Sequence, residues 1–340
     1  MSFWVVKSGK SASSKQESSN KQDGSRPYDV QELIDCYYRN SYHQRCINLK
    51  TICILGEGIE NPEVVTKLRE CVRKDSVFTL LQKTILDLRI FGDAFWEIVQ
   101  TGSSTEIYYM PSWTINAGKD GGWVQELGGK KVDFSEDQVW HFREPSMLSS
   151  VWGCPDYLPL IEDEAIELLS TIKTYNKNFF ANNAIPDAIM FIKGGDLGPS
   201  TDAGLRKFFR DKFRGVENAA KFCVAPVPEG VEVQLEKLQD TKEGKFLELQ
   251  DKTMMEIISC HGVPPRLAGI MVPGSLGGGG EAAGELKIFL TTQIKPLQNI
   301  LGGQLDQFFT ERLGMVTDIS FKAFDVLPSE AETALNILRG

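Results

Sequence analysis

Histidine is scarce in this 340-residue chain: only His43, His141 and His261 occur, far apart and in no metal-ligand spacing such as HExxH. Spacing therefore nominates no metal site. Cysteine shows no pairing pattern either. Seven residues (Cys36, Cys46, Cys53, Cys71, Cys154, Cys223, Cys260) stand singly, with no CxxC and an odd total. That argues against a disulfide framework or a zinc site and for a reducing cytoplasm as the place of synthesis. Long apolar runs are missing: Phe3 to Val6 is short, and Val77 to Ile90 is broken by Lys83, Asp87 and Arg89, so nothing approaches the ~20 residues of a bilayer span. No signal peptide is visible, and a soluble protein with no membrane partner is expected. Positive charge is also in deficit. Net charge is -9 and the pI near 5.1, which argues against a tight, sequence-independent DNA binder, because such proteins neutralise phosphates with clustered Lys and Arg. A protein that DNA merely passes is compatible with it.

What is present suits a globular body behind an arm. Hydrophobic residues make up 41% and charged ones 24%, enough for a sizeable core in two or more subdomains. Residues 7–28, KSGKSASSKQESSNKQDGSRPY, hold no large apolar residue before Tyr28 and cannot repay the entropy of ordering, so residues 1–28 are expected to be a flexible N-terminal arm. Gly9-Lys10-Ser11 mimics the end of a P-loop, but Trp4 stands where the first glycine is required, and the match is chance.

From Val30 to Leu55, Leu33, Ile34, Tyr37, Tyr38, Cys46 and Ile47 fall at helical spacing. Asn61 and Pro62 read as N-cap and first helical residue. Val77, Leu80, Leu81, Thr84, Leu88 and Phe91 continue the helical period until Gly92-Asp93 closes it. AFWEIV is a predicted strand, followed by short strands in EIYYMP, TINAG, WVQELGG, KKVDFS and DQVWHFR, so this region is α+β. HFREP, with His141, Arg143 and Glu144, reads as a structural polar strand end.

A second organisation starts at Pro155. The run to Asn182 predicts one long helix with Leu158, Ile161, Ala165, Leu168, Ile172, Tyr175 and Phe179 on one face. Its acids Glu162, Asp163, Glu164 and Glu167 gather near the N-terminus, and Lys173 and Lys177 near the C-terminus, as the helix dipole favours. A strand (AIMFIKGG), a short basic helix (STDAGLRKFFRDKFRG) and two strands (KFCVAPV, VEVQLEKL) follow. A helix from Lys245 to Cys260 ends at His261-Gly262, with Pro264-Pro265 preventing its return.

Next comes VPGSLGGGGEAAGELKIF, and a helix expected to run from Glu281 to about Leu301. Gly277, Gly279 and Ala282 satisfy GxGxxA, but Pro273 and Gly274 precede them instead of a buried strand, and no parallel strand follows. Glu281 would face any pyrophosphate, competing for the field of the helix N-terminus. A mobile loop feeding a helix is the better reading. Leu286, Phe289, Leu290, Ile294, Leu297 and Leu301 make the apolar face of that helix, and Pro296 should kink it by deleting the bond to the Thr292 carbonyl.

In this order REPSMLSSVWGCPDYLPLIEDEAI, NFFANNAIPDAIMFI, MMEIISCHGVPPRLAGI and the glycine-rich loop before KIFLTTQIKPLQNIL resemble the portal (head–tail connector) proteins of tailed bacteriophages. The similarity is strongest to the branch of contractile-tailed temperate phages and related defective prophages, and covers roughly residues 28–325. It implies an α+β portal fold. Its parts would be a wing (29–154), a stem helix (155–182), a small α/β clip (183–244), a second stem helix (245–262), and a channel loop with a kinked tunnel helix (263–301). A C-terminal wing segment (302–340) would carry little or no crown. It implies a homo-oligomeric ring, usually a dodecamer, at one capsid vertex of the virion, assembled in the host bacterial cytoplasm. The ring would be the conduit through which terminase packages double-stranded DNA without sequence specificity and through which the DNA is ejected. Implied partners are the terminase large subunit, capsid or scaffold proteins, and neck or head-completion proteins that dock on it.

The same resemblance makes Gly274, Gly277, Gly278, Gly279 and Gly280 the channel loop, and Pro296 the tunnel-helix kink. Glu164, Glu167, Glu281 and Glu285 are channel-lining candidates, though on helix-dipole grounds they read equally as solvated helix-start acids. Arg206, Lys207, Arg210, Lys212 and Arg214 are candidates for the clip surface that greets a partner, against the alternative of a solvated face. No nucleophile motif, metal cluster or acid/base pair can be nominated, so no enzyme activity, cofactor or metal is expected. Two rivals stand beside this reading: a nucleotide-binding enzyme using Gly277 to Gly280, and a non-portal structural adaptor.

Overall fold

The computed structural model describes residues 24–102, 104–182, 188–193, 232–237, 243–270 and 279–322. The chain divides into two compact units. The first comprises Met1–Leu33, Thr51–Pro155 and Pro296–Phe324, and the second Ile34–Lys50, Asp156–Lys295 and Asp325–Gly340. The chain thus passes between them several times.

Helices come first. α1 (Val30–Arg39) and α2 (Ser41–Leu55) are separate, because the Asn40 side chain accepts the N–H groups of Tyr42 (3.0 Å) and His43 (3.1 Å) and starts α2. The sequence period alone did not show this break; Tyr38, expected at the helical spacing of the apolar face, is exposed. α3 (Pro62–Cys71) starts as expected, with Asn61 Oδ1 capping Glu63 N (2.9 Å) and Pro62 at the first helical position. α4 (Val77–Phe91) is capped by Ser76 and ends at Gly92, whose φ of 74° is the left-handed conformation glycine allows.

The first unit is built around α4 and two antiparallel sheets. In one, β1 (Asp93–Thr101) lies between β2 (Ser104–Met110) and β6 (Val139–Arg143), in register Phe95↔Met110 and Trp96↔Trp140. In the other, β4 (Trp123–Leu127) lies between β3 (Ile115–Ala117) and β5 (Lys130–Phe134). Phe95, Met110, Ile115, Trp123, Val139 and Trp152 form one buried cluster, with Ala117 and Phe134 packed on its partly exposed flank. Trp96 is fully buried and donates its indole N–H to Thr84 Oγ1 (2.7 Å), so the aromatic keeps its hydrogen bond inside the core.

The C-terminal part of the same unit is helical. α9 (Lys295–Leu313) presents Leu301, Leu305, Phe308 and Phe309 inward, and Phe308 meets Trp96 and Trp140 edge-on. Gln298 Nε2 donates to the Ile54 carbonyl (3.0 Å), satisfying one of the acceptors that the end of α2 leaves over. Residues 315–322 return along α9: Asp306 accepts the Ile319 N–H (3.0 Å) and the Thr317 hydroxyl (2.6 Å). At Gly302 a Cβ would lie 2.5 Å from the Ile319 carbonyl oxygen, so this close approach requires glycine.

The second unit holds α5 (Pro159–Glu162), α6 (Ala165–Asn182), β7 (Ala188–Lys193), β8 (Glu232–Lys237), α7 (Glu243–Cys260) and α8 (Gly279–Phe289). β7 pairs antiparallel with β8, and α6 packs on α7. The expected single helix from Pro155 to Asn182 is two helices. The N–H groups of Asp163 and Glu164 turn back to the carbonyls of Pro159 and Ile161 (both 3.0 Å), and Glu164 adopts a left-handed φ of 55°. Restarting at Ala165 shifts the helical phase. The buried face is Ala165, Ile166, Leu169 and Ile172, while Leu168, expected inside, is 41% exposed.

Two further expectations are corrected. The helix after the glycines begins at Gly279 rather than Glu281. It continues past Leu301 to Leu313, through a π-helical stretch, Leu290–Ile294, just before Pro296. The Lys295 N–H bonds to the Leu290 carbonyl, five residues back, so the helix widens in the turn just before Pro296, which has no N–H to donate.

Candidate functional site

The residues singled out in the sequence fall on three places. Gly279 and Gly280 are not loop; they form the first turn of α8, and Glu281 and Glu285 follow on the same helix, four residues apart. Glu285 is half-buried, and its Oε1 lies 3.9 Å from Arg266 Nε. In that partly exposed setting, such a pair contributes little to stability. Glu164 and Glu167 are exposed around the start of α6. Pro296 is the second residue of α9, and exposed. Gly274, Gly277 and Gly278 lie outside the described residues, as do Arg206, Lys207, Arg210, Lys212 and Arg214. A dinucleotide cradle does not form around α8: every strand ladder among the described residues is antiparallel, whereas that site needs a parallel βαβ unit.

The first unit contains a polar knot centred on Asp93, which is fully buried at the start of β1. Its Oδ1 accepts from His141 Nε2 (2.7 Å) and from the Gly153 N–H (2.8 Å), and its Oδ2 accepts from the Tyr28 hydroxyl (2.9 Å). Arg26 lies 3.6 Å from the same carboxylate, stacks on Trp152 at 4.1 Å, and donates to the Ser112 carbonyl at 2.7 Å. Residues 24–28, expected to belong to a flexible arm, are therefore pinned to the sheets. Arg26 and Tyr28 supply the polar contacts that hold them there. Burial depresses the His141 pKa in spite of the Asp93 carboxylate, so the ring is neutral at neutral pH. Each member of the knot is a structural tie between β1, β6 and the 152–153 segment, in keeping with the reading of His141 as structural.

Nearby in the same unit, Asp87 is buried and accepts from the Tyr109 hydroxyl and the Ser112 N–H, both at 2.9 Å. Desolvation nevertheless raises its pKa to about 7. Two cavities flank the aromatic cluster. One, about 870 Å³, runs between β6, the 144–152 segment and α9; the other, about 1150 Å³, lies between residues 24–30 and the β3–β4–β5 sheet.

In the second unit the structure joins two residues that sequence spacing kept apart. His43 Nδ1 and His261 Nε2 are 2.9 Å apart in a buried contact, with Tyr157 edge-on to His43. Burial, opposed by the Asp156 carboxylate and aided by Lys50, lowers the His43 pKa to about 4. Lys50 is itself buried and reaches Asp156 Oδ2 at 2.6 Å. A separation of 218 residues leaves no sequence signal for the histidine pair. Among the described residues no group of three or more His, Cys, Asp or Glu could hold a metal ion, and none of the described helices is long and apolar enough to cross a membrane.

Comparison with known proteins places this geometry. The profile described as phage portal protein matches residues 56–338. The chain is 22% identical over 222 residues to the probable portal protein of Escherichia phage P2, and that alignment spans 63% of each chain, so less than two thirds of the relative's length is matched. An uncharacterised protein of Rickettsia bellii is 24% identical over 260 residues, covering 70% of this chain and 66% of its own. Among solved structures, a chain from the neck of a native gene transfer agent particle, computed with C12 symmetry, superposes with a TM-score of 0.66 at 20% identity. That superposition covers 92% of this chain and 88% of the other. An HK97 family phage portal protein from Corynebacterium diphtheriae superposes with a TM-score of 0.55 at 16% identity, over 85% and 94% of the two chains. The fold is thus shared with both.

Proposed function

The chain belongs to the phage portal protein family, and from that membership we propose that it is a structural portal. It would form a homo-oligomeric ring at one capsid vertex, through which terminase drives double-stranded DNA and onto which neck or tail proteins dock. The match to the family across residues 56–338 carries the reading. The C12 symmetry of a neck that shares this fold supports a dodecamer, and the role places the protein in the virion. The net charge of -9 agrees with it. Each phosphate neutralised by a bound cation adds affinity through counterion release and would brake translocation, so a conduit benefits from an acidic wall. Glu164, Glu167, Glu281 and Glu285 are the wall residues of this proposal. Gly274, Gly277 and Gly278 supply the pliable chain before α8, and the π stretch with Pro296 is the bend of the tunnel helix. The basic residues Arg206, Lys207, Arg210, Lys212 and Arg214 face the docking partner by the same reasoning.

Negative-stain electron microscopy of the purified protein tests the ring directly. Closed rings with a central hole are expected, while a single monomeric species by light scattering at every concentration would overturn the proposal. For the loop, replacing Gly277 and Gly278 with alanine should leave assembly intact and extend α8 toward its N-terminus, since alanine exceeds glycine in helix propensity by about 1 kcal/mol per residue. Proheads built with such rings should start packaging and fail to complete it. Packaging at the parental rate would show that these glycines are dispensable to translocation. The packaging ATPase is expected on another chain.

A further inference from the structure

Independently of the portal reading, we propose that the apolar head of the N-terminal arm, Phe3 to Val6, docks in cis in the cavity between residues 24–30 and the β3–β4–β5 sheet. The described chain begins at the mouth of that cavity: Gly24 lines it, and the Gly24 carbonyl accepts the indole N–H of Trp152 at 2.6 Å. The cavity is about 1150 Å³, bounded by Ala117, Trp123, Val124 and Phe134. Ala117 and Phe134 are the incompletely covered flank of the unit's aromatic cluster. A cavity beside an aromatic core is favourable to fill, at about 25 cal/mol for each Å² of apolar surface removed from water.

The arm contains one segment able to fill it. Phe-Trp-Val-Val at positions 3–6 is apolar throughout, whereas residues 7–23 are Ser, Lys, Gln, Glu, Asn, Asp, Gly and Ala. Lys7 follows the head directly, and Asp133 lines the cavity as a charge partner for it. A chain the length of residues 7–23 spans on the order of 20–25 Å as a coil, and such a tether holds its end at an effective concentration of order millimolar. The head therefore reaches its own unit's cavity at no great entropic disadvantage.

Hydrogen exchange of the full-length protein tests this against a variant carrying Phe3→Ser, Trp4→Ser, Val5→Ser and Val6→Ser. Amides in 115–124 and 132–134 should exchange several-fold faster in the variant, and a synthetic peptide of residues 1–8 should restore protection to the variant while leaving the native chain unchanged. Equal exchange in the two proteins would overturn the proposal, as would equal protection of both by the peptide. Protection of the native chain that falls on dilution would place the head on a neighbouring copy and overturn docking in cis. A photoreactive p-benzoylphenylalanine in place of Phe3 gives a second reading, with cross-links expected to residues 115–134 of the same chain; their absence there would also count against it.

Discussion

The two units bury polar groups in opposite ways. In the first, two clusters are centred on buried carboxylates, beside the buried cation Arg89: Asp93 gathers His141, Gly153 and Tyr28, and Asp87 gathers Tyr109 and Ser112. In the second the centres are bases: His43 against His261, and Lys50 reaching out to Asp156. Acceptors at the centre draw in backbone N–H groups, so the first unit is tied through its main chain as well as its side chains. In the second, apart from the Asn40 cap at the start of α2, these buried groups meet side chain to side chain. The first unit should accordingly tolerate backbone change poorly and lose little on acidification, and the second the reverse.

Backbone change gives the largest expected effect. At Gly153 a Cβ would overlap the Gly92 carbonyl oxygen, and at Gly92 one would sit 2.5 Å from the Cys154 nitrogen. Both obstacles are backbone, fixed by the bonds of Glu144 N to Gly92 O (2.8 Å) and Gly153 N to Asp93. Gly153→Ala should cost about 4 kcal/mol or more, enough to prevent folding of a marginal domain. At Gly262 of the second unit, φ is 63° and a Cβ would meet only the Gln293 side chain at 2.8 Å. There alanine should cost about 1 kcal/mol. Urea denaturation of both variants compares them, and similar losses would dissolve the contrast. Arg89→Met belongs with the large effects. The pair it makes with Glu144 is 3% and 13% exposed, so Glu144 would be left as a buried charge at a cost of about 3–5 kcal/mol.

Acidification should separate the units next. The Asp87 pKa rises from 3.8 to about 7, so the folded state binds the proton first. Its contribution is fully present below pH 3.8 and is lost as the pH rises through about 7. The His43 pKa falls from 6.5 to about 4, so its contribution is present above pH 6.5 and is lost as the pH drops through about 4. Between pH 7 and pH 4 the two act in opposite directions. Each contributes about 2–3 kcal/mol, since a tenfold change in proton affinity is worth about 1.4 kcal/mol and local relaxation returns part of it. His141 pulls with His43 and narrows the difference. Thermal unfolding of Asp87→Asn should remove the part of the stability that grows on acidification, and His43→Gln the part that shrinks. If both variants kept the parental pH profile, the distinction between acidic and basic centres would have no energetic content.

How far these features could be read from sequence follows from their range. Asn61-Pro62, the closure of α4 at Gly92, the short strands of the first unit and the helix ending at Gly262 were all legible, because capping and turn chemistry act within a few residues. Membership of the portal family was legible from the order of segments rather than from any motif. Breaks inside apolar runs were not: Asn40 and Glu164 interrupt helices whose period continues across them, so pattern alone joined what the backbone separates. The π stretch before Pro296 kept the helix going where proline chemistry predicted an interruption. Pairs such as His43 with His261, or Arg26 with Asp93 and Trp152, depend on contacts between distant segments, and neither residue type nor spacing announces them. The candidate site was read only in part: Gly279 and Gly280 moved from loop to helix, while the wall acids kept both of their interpretations.

The smallest expected effect is the most informative about the second unit. Lys50 is 2% exposed, and removing a buried charge is usually severe. Its partner decides otherwise: the Asp156 side chain is 44% exposed, so its carboxylate has water on one side whether or not the ammonium is there. Lys50→Met keeps the length and apolar stem of the side chain, removes a cation that itself had to be desolvated, and takes away a charge that holds the His43 pKa down. The loss should be at most about 1 kcal/mol, against about 3–5 for Arg89→Met, and a slight gain is within the same range. A second consequence follows from the electrostatics. With Lys50 gone, the acid-induced loss should begin at a higher pH than in the parent, because the His43 imidazole is easier to protonate. Urea denaturation at pH 7 and a stability profile from pH 7 to pH 4 read both effects. A loss of about 3 kcal/mol or more for Lys50→Met would mean that Asp156 depends on the lysine as Glu144 does on Arg89, and that the two units bury charge alike.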